Sequence, residues 1–170
     1  MSTGVILDIE TDALDATKIH CIVARDIKTN KVNEFVQQEC YTSFPKFAKT
    51  VDKFYMHNGL GFDQPIINRL TNADINWDKV VDTLILTQLL NPIIDKGNSL
   101  GSWGDRLGFP KDTPPKDFTN YTSDMLKYCN RDVDVTFKLV NYLSKQSHLL
   151  SKRSIKLEHK IRTIVTQQEK

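Results

Sequence analysis

The chain has 170 residues, 39% of them hydrophobic and 26% charged, and a formal net charge of +2. That length suits one domain with a substantial core, and the mix excludes a disordered chain. No apolar run approaches the roughly 20 residues of a bilayer crossing, so no membrane partner is expected, and the total charge by itself does not imply nucleic-acid binding.

In chain order, the opening MSTGVILD lacks a basic region followed by an apolar core, which argues against a secretory signal and makes the cytosol the expected location. The stretch VILDIETD, Val5 to Asp12, then reads as a strand carrying three acids. With a period of two, Val5, Leu7 and Ile9 share one face and Ile6, Asp8 and Glu10 the other. At about 3.3 Å per residue, the Cα atoms of Asp8 and Glu10 lie roughly 6.6 Å apart, so both side chains can reach one cation. Two unpaired like charges at a core edge raise each other's pKa, so basic side chains or a metal must partner them. A solvated strand edge remains the plain alternative.

IHCIVARDI and KVNEFVQ follow as two strands joined by a turn at Thr29-Asn30, completing an antiparallel meander. FPKFAKTVDKF reads as a short helix, FYMHN as a fourth buried strand, and DQPIINRL as a helix opened by Asp63 and Pro65. VVDTLILTQLL suggests a short strand running into a helix. Residues 91–120 hold four of the six prolines and four of the seven glycines, a loop-rich excursion with one short helix, SLGSWGDRLG. From Ser123 to Leu143, Leu126, Cys129, Val133, Phe137 and Val140 form the core stripe of a long helix, with Tyr128 and Asp132 four apart on a neighbouring face. The expected fold class is α/β, a mixed five-stranded sheet with helices on both faces. The three cysteines, Cys21, Cys40 and Cys129, have neither disulfide nor zinc spacing and read as buried thiols. Seven Lys/Arg against two acids from Lys145 onward make the tail basic, a solvated helix face or a phosphate contact.

Three acidic sites stand out: Asp8 with Glu10, Asp63 in HNGLGFDQP, and Asp132 in YCNRDVDVT. Each has a plain reading. Asp63 before a proline looks like a helix N-cap, Asp132 could pair with Arg131 or Lys138 on a wet surface, and Tyr128 is by default a half-buried aromatic. Taken together they resemble the three motifs of the DEDD superfamily of 3′–5′ exonucleases, which has an RNase H-like fold. Asp8-Ile9-Glu10 matches the first motif, Asn58 with Phe62-Asp63 the second, and Tyr128-x-x-x-Asp132 the third. The tyrosine places the resemblance in the branch that uses Tyr, since none of the four histidines precedes Asp132 suitably. HNGLGFDQP, DTLILTQLL, SWGDRLG and LEHKIRTIVTQQEK are also similar, in the same order, to the exonuclease domain of family A DNA polymerases of short-tailed bacteriophages.

That resemblance implies an exonuclease domain over residues 1–150, with 151–170 like the helix leading into a polymerase domain. It implies two divalent cations, Mg2+ or Mn2+, consistent with clustered carboxylates and no Cys/His cluster. Asp8 would bridge both ions, Glu10 and Asp132 would complete the first, and Asp63 would hold the second mainly through water. Tyr128 would orient the attacking water, since a phenol near pKa 10 is protonated at neutral pH. The implied substrate is the 3′ end of single-stranded or frayed DNA, in proofreading, with a DNA polymerase domain or chain as a partner. Leu14 and Phe62 are the candidates for base contacts, or equally core residues, with Thr11 and Asn58 near the terminal sugar and phosphate. An RNA 3′-end trimming nuclease uses the same motifs, and a non-catalytic docking module with structural acids is the remaining alternative.

Overall fold

A computed structural model describes residues 4–168. Met1, Ser2 and Thr3, and Glu169 and Lys170 at the end of the expected basic segment, lie outside them.

The sheet forms because three β-branched-rich segments and two short buried ones need partners on both edges. The strands are β1 (Gly4–Thr11), β2 (Ile19–Asp26), β3 (Val32–Val36), β4 (Lys53–Met56) and β5 (Val80–Asp82), in the order β3-β2-β1-β4-β5. β1 and β2, and β2 and β3, are antiparallel, whereas β1-β4 and β4-β5 are parallel. The expected mixed five-stranded sheet is therefore present, with the meander at one side. Asn30 closes the β2–β3 turn at φ 61°, a left-handed conformation that asparagine tolerates better than most residues.

The period-two reading of β1 holds. Val5, Leu7 and Ile9 enter one core with Phe44 and Ala48 of α2 (Phe44–Ala48) and Ile66 and Ile67 of α3 (Asp63–Leu70). Ile6 faces the other way and packs with Cys21, Val23, Cys129 and Val133, the last two from α6 (Ser123–Lys145). Helices thus cover both faces. In α6 the expected stripe packs on the sheet, and a second seam, Val135, Leu139 and Leu143, packs on Leu100 and Trp103 of α5 (Leu100–Arg106). Thr122 caps α6 by accepting from Met125 N–H at 3.3 Å. The three cysteines are buried free thiols, as expected.

Smaller differences have local causes. The FPKFAKTVDKF segment is helical only to Ala48, because Lys53 and Phe54 pair with Gly4 and Val5 and are drawn into β4. A four-residue α1 (Glu39–Thr42) and a 3-10 turn at Trp77–Lys79 are too short to leave a periodic signature. β5 leads directly into α4 (Thr83–Leu90), with Asp82 as its N-cap. The final helix, α7 (Lys152–Gln168), packs on α4 and on the 3-10 turn and buries His159 and Thr166. Among the described residues, no helix is long and apolar enough to cross a membrane.

Candidate active site

The site forms at the carboxyl ends of β1 and β4, where loops leave the sheet and a crevice opens. β1 contributes Asp8 and Glu10, and its register with β2 breaks immediately after Glu10. α6 crosses β1 on that face and presents Tyr128, Cys129 and Asp132. The turn after β4 carries Asn58 and Phe62 and delivers Asp63 as the first residue of α3. All of these line one cavity of about 630 Å³ except Cys129, which lies against Asp8.

Asp63 is 4% exposed, and the position before it, Phe62, makes no side-chain cap bond. The N-cap reading of Asp63 is therefore replaced: its carboxyl faces the cavity and accepts from the backbone amide of Ile9, between the two β1 acids. Asp132 does not pair with Arg131 or Lys138 on a wet surface. Its Oδ2 lies 2.5 Å from Lys111 Nζ and its side chain is 7% exposed, while Arg131 bonds the Pro110 carbonyl instead. Lys111 Nζ also sits 4.8 Å from the centre of the Tyr128 ring.

The charges are unbalanced. Five carboxylates, those of Asp8, Glu10, Asp63 and Asp132 and that of the rim residue Asp12, line this cavity with a single ammonium, Lys111. Burial, then Asp63, Asp132 and Glu10, push the Asp8 carboxyl well above its usual range, against Lys111. Burial and Asp132 raise Glu10 to about 8, with Lys111 opposing. Asp63 is raised to about 7, first by burial and then by Asp82 and Asp132, although its own amide and that of Ile9 pull it down. Asp132 is raised by burial despite Lys111. Burial works against the charge on Lys111, but Asp132 and Tyr128 outweigh it and hold the ammonium protonated. Tyr128 is raised, chiefly by burial, so its phenol keeps its proton at neutral pH.

The donor set fits a hard divalent cation. Ligand atoms of Asp8, Glu10 and Cys129 lie within 4.8 Å of one another, and the buried Asp132 Oδ1 has no hydrogen-bond partner. Cys129 is not a sulfur ligand in waiting. Burial holds its thiol well above the usual range, and Sγ donates to the Asp8 carbonyl and to Asp8 Oδ2, both at 3.4 Å. The carboxylates thus remain as oxygen ligands, the type that magnesium and manganese prefer over zinc.

No family model and no curated protein matches the chain. Solved structures do. NrnC from Brucella melitensis bound to pGG superposes with a TM-score of 0.76 at 15% identity, over 99% of this chain and 85% of that one. Phi29 DNA polymerase superposes at 0.58 with 10% identity, over 84% of this chain and 31% of that one. The same polymerase complexed with single-stranded DNA gives 0.58 at 12% identity, over 86% and 32%. The chain has an RNase H-like fold. At these identities the likeness establishes the architecture, and the roles of residues rest on this chain's own geometry.

Within that fold, the four residues expected near substrate also line the cavity. Leu14 is 88% exposed at the rim, which removes its core reading, whereas Phe62 is half-buried, lining the cavity while packing on the core. Thr11 is buried, with its hydroxyl donating to the Ala13 carbonyl at 2.9 Å. Asp12, the third acid of the opening stretch, is a loop brace: its carboxylate accepts from Thr17 and Lys18, and those bonds outweigh burial and hold it at about 2. Sequence reasoning missed Lys111, Phe118 and the Cys129 contact. Lys111 and Phe118 lie in the loop-rich excursion without periodicity, and Cys129 was legible only as a core position.

Proposed function

We propose that this chain is a metal-dependent 3′–5′ exonuclease acting on single-stranded nucleic acid, with DNA 3′ ends as the primary substrate. The observation that carries the reading is the convergence of Asp8, Glu10, Asp63, Asp132 and Tyr128, from three separate segments, on one cavity. Asp8, Glu10, Asp63 and Asp132 would hold two Mg2+ or Mn2+ ions. Such ions supply an acidified water and neutralise charge at phosphorus and at the departing 3′ oxygen.

The chain's own residues supply the rest. Lys111 takes one oxygen of Asp132 and leaves the unpartnered one for a cation. The protonated Tyr128 hydroxyl orients a water by donating or accepting a hydrogen bond, and does not act as its base. Leu14 and Phe62 give apolar surface for a terminal base, worth roughly 1–3 kcal/mol by stacking without sequence preference. Thr11 and Asn58 offer polar groups to the terminal sugar and phosphate.

The experiment is digestion of a single strand labelled at its 5′ end, in Mg2+ or Mn2+ and in EDTA, with Asp8→Ala alongside. A ladder shortening from the 3′ end, abolished by EDTA and by Asp8→Ala, is the expected result; cleavage that survives Asp8→Ala overturns the assignment.

A second reading, an RNA or short-oligonucleotide 3′-end nuclease, is favoured by one finding. The superposition on NrnC, seen with pGG, spans nearly the whole chain. A cavity of about 630 Å³ suits a ligand of drug-like or dinucleotide size. Digesting DNA and RNA strands of equal length, and dinucleotides, separates the two. The DNA reading expects the DNA strand to be cut at least as fast as RNA. A partner polymerase, in the same or another chain, belongs to the proofreading form of this proposal, and co-elution tests it.

A further inference from the structure

The roles above leave α7 without a task, although it closes directly on the turn that carries Asn58 and Asp63. That turn is held from both sides. Asp82, 1% exposed, accepts on Oδ1 from Asn58 N–H at 2.9 Å and Leu84 N–H at 3.0 Å, and on Oδ2 from Leu60 N–H at 3.0 Å. Asp82 N–H in turn donates to His159 Nε2 of α7 at 2.8 Å, and His159 Nδ1 donates to the Ile155 carbonyl at 2.7 Å. Each imidazole nitrogen has one fixed role, so α7 is anchored in one register against β5.

One turn further along α7, half-buried Arg162 donates from Nη2 to Asn58 Oδ1 at 3.3 Å. The sequence makes room for this contact. A Cβ on Gly61 would lie 2.3 Å from Arg162 Nη2 and 2.5 Å from Asn58 Oδ1, so the guanidinium or the amide would have to move and the contact would be displaced. Gly61 itself donates to the Asn58 carbonyl at 3.0 Å, so the turn tightens around the residue whose amide Arg162 holds. Asn58 has φ 61°, and its backbone N–H is fixed by Asp82. With Oδ1 engaged by a guanidinium, which only donates, the amide cannot flip, and Nδ2 is the polar group Asn58 offers to the cavity it lines.

We propose that Arg162 is a positioning residue of the nuclease, holding the Asn58 amide so that its N–H donors face an acceptor oxygen of the terminal nucleotide, and that α7 is therefore part of the substrate site. Arg162 borders the groove between α4 and α7 rather than the cavity, so it acts through Asn58. The inference rests on the nuclease reading and extends it to a segment that the sequence presents only as a basic tail.

The test is a double-mutant cycle on the full chain, with Arg162→Ala, Asn58→Gly and the pair. Glycine suits the left-handed position of Asn58. Steady-state cleavage of a single-stranded DNA oligonucleotide, Mn2+ titration and thermal melting are read for each. Arg162→Ala is expected to raise KM about tenfold, the scale of one oriented hydrogen bond, with kcat, Mn2+ affinity and melting near wild type. In the Asn58→Gly background the same change should do nothing further, since its object is gone. Arg162→Lys, which keeps a charged donor, should recover part of the KM. An unchanged KM in Arg162→Ala, or two losses that multiply, overturns the proposal while leaving the nuclease reading intact. Should Arg162→Ala fail to fold, Arg162→Gln and Arg162→Lys enter the cycle in its place and are read in the same way. A wild-type chain that cuts nothing in Mn2+ overturns both.

Discussion

At Asp8 burial and then the charges of Asp63, Asp132 and Glu10 raise the pKa, and the side chain is held by the Cys129 thiol. Removing it takes away a carboxylate that adjoins Glu10, Asp63 and Asp132 together. Asp8→Ala should abolish cleavage with any divalent ion, measured under single-turnover conditions. Tyr128→Phe should slow cleavage by only about 10- to 100-fold, the loss of one hydrogen bond, because every carboxylate stays in place. Lys111 makes a different prediction. It opposes the elevated pKa of Asp8, Glu10 and Asp132. In Lys111→Gln those acids hold their protons more tightly, and protons compete with metal for the same oxygens. Mn2+ affinity near pH 7 should fall by about tenfold and should recover as pH rises, since the proton competitor is lost. Equal affinities at neutral pH would show that Lys111 leaves the carboxylates unaffected.

At the level of elements, α6 serves two masters, and they separate cleanly. Its first half carries Tyr128 and Asp132 over β1, and its second half packs Leu139 and Leu143 on α5. Leu139→Ala, at a fully buried position, should cost about 2–5 kcal/mol in denaturant unfolding while Mn2+ affinity at the distant acids stays within about twofold of wild type. The long elements were legible in the sequence because their signals repeat. Alternation along β1 gave both the core face and the acid pair, and the 3-4-4-3 spacing of α6 gave the seam that sets where Tyr128 and Asp132 point. The meander, α3, β5 with α4, and α5 were likewise readable from turn residues and apolar runs. What was not readable depends on contacts between distant segments. Lys111 reaches Asp132 across 21 positions, and His159 reaches Asp82 across 77. Neither contact has a period or a local partner to betray it. Asp63 illustrates the converse: its local sequence described a helix cap, and only the tertiary fold turned its carboxyl toward Ile9.

For the molecule as a whole, the site is a store of electrostatic strain that metal would release, and this has a measurable sign. Burial and the neighbouring acids push Glu10 up to about 8 and Asp63 up to about 7 in the folded chain, against 4.5 and 3.8 for unperturbed groups. Between the two sets of values the unfolded chain has lost protons that the folded chain still binds, so stability falls as pH rises. Two histidines work the other way. Burial lowers His57 to about 4 and also lowers His159, so both favour the folded state increasingly as pH climbs toward 6.5. The unfolded imidazole is still half protonated at pH 6.5, so their contribution goes on rising by about 0.4 kcal/mol each to about pH 7.5 and offsets only part of what the carboxylates lose between about pH 6.5 and 8. In EDTA, the unfolding free energy should drop by about 1–2 kcal/mol across that interval, which for a chain of this size lowers the melting temperature by roughly 2–8 °C. If the site holds Mn2+, the ion would bind its ionised folded form and not the unfolded chain, so its stabilisation should grow with pH over the same interval. Melting curves at pH 6.5 and 8, with EDTA and with millimolar Mn2+, should therefore show a downward slope without metal and a flat or rising one with it. Parallel downward slopes in the two conditions would mean that the site gathers no cation, and a flat slope in EDTA would mean that Glu10 and Asp63 do not strain the metal-free fold.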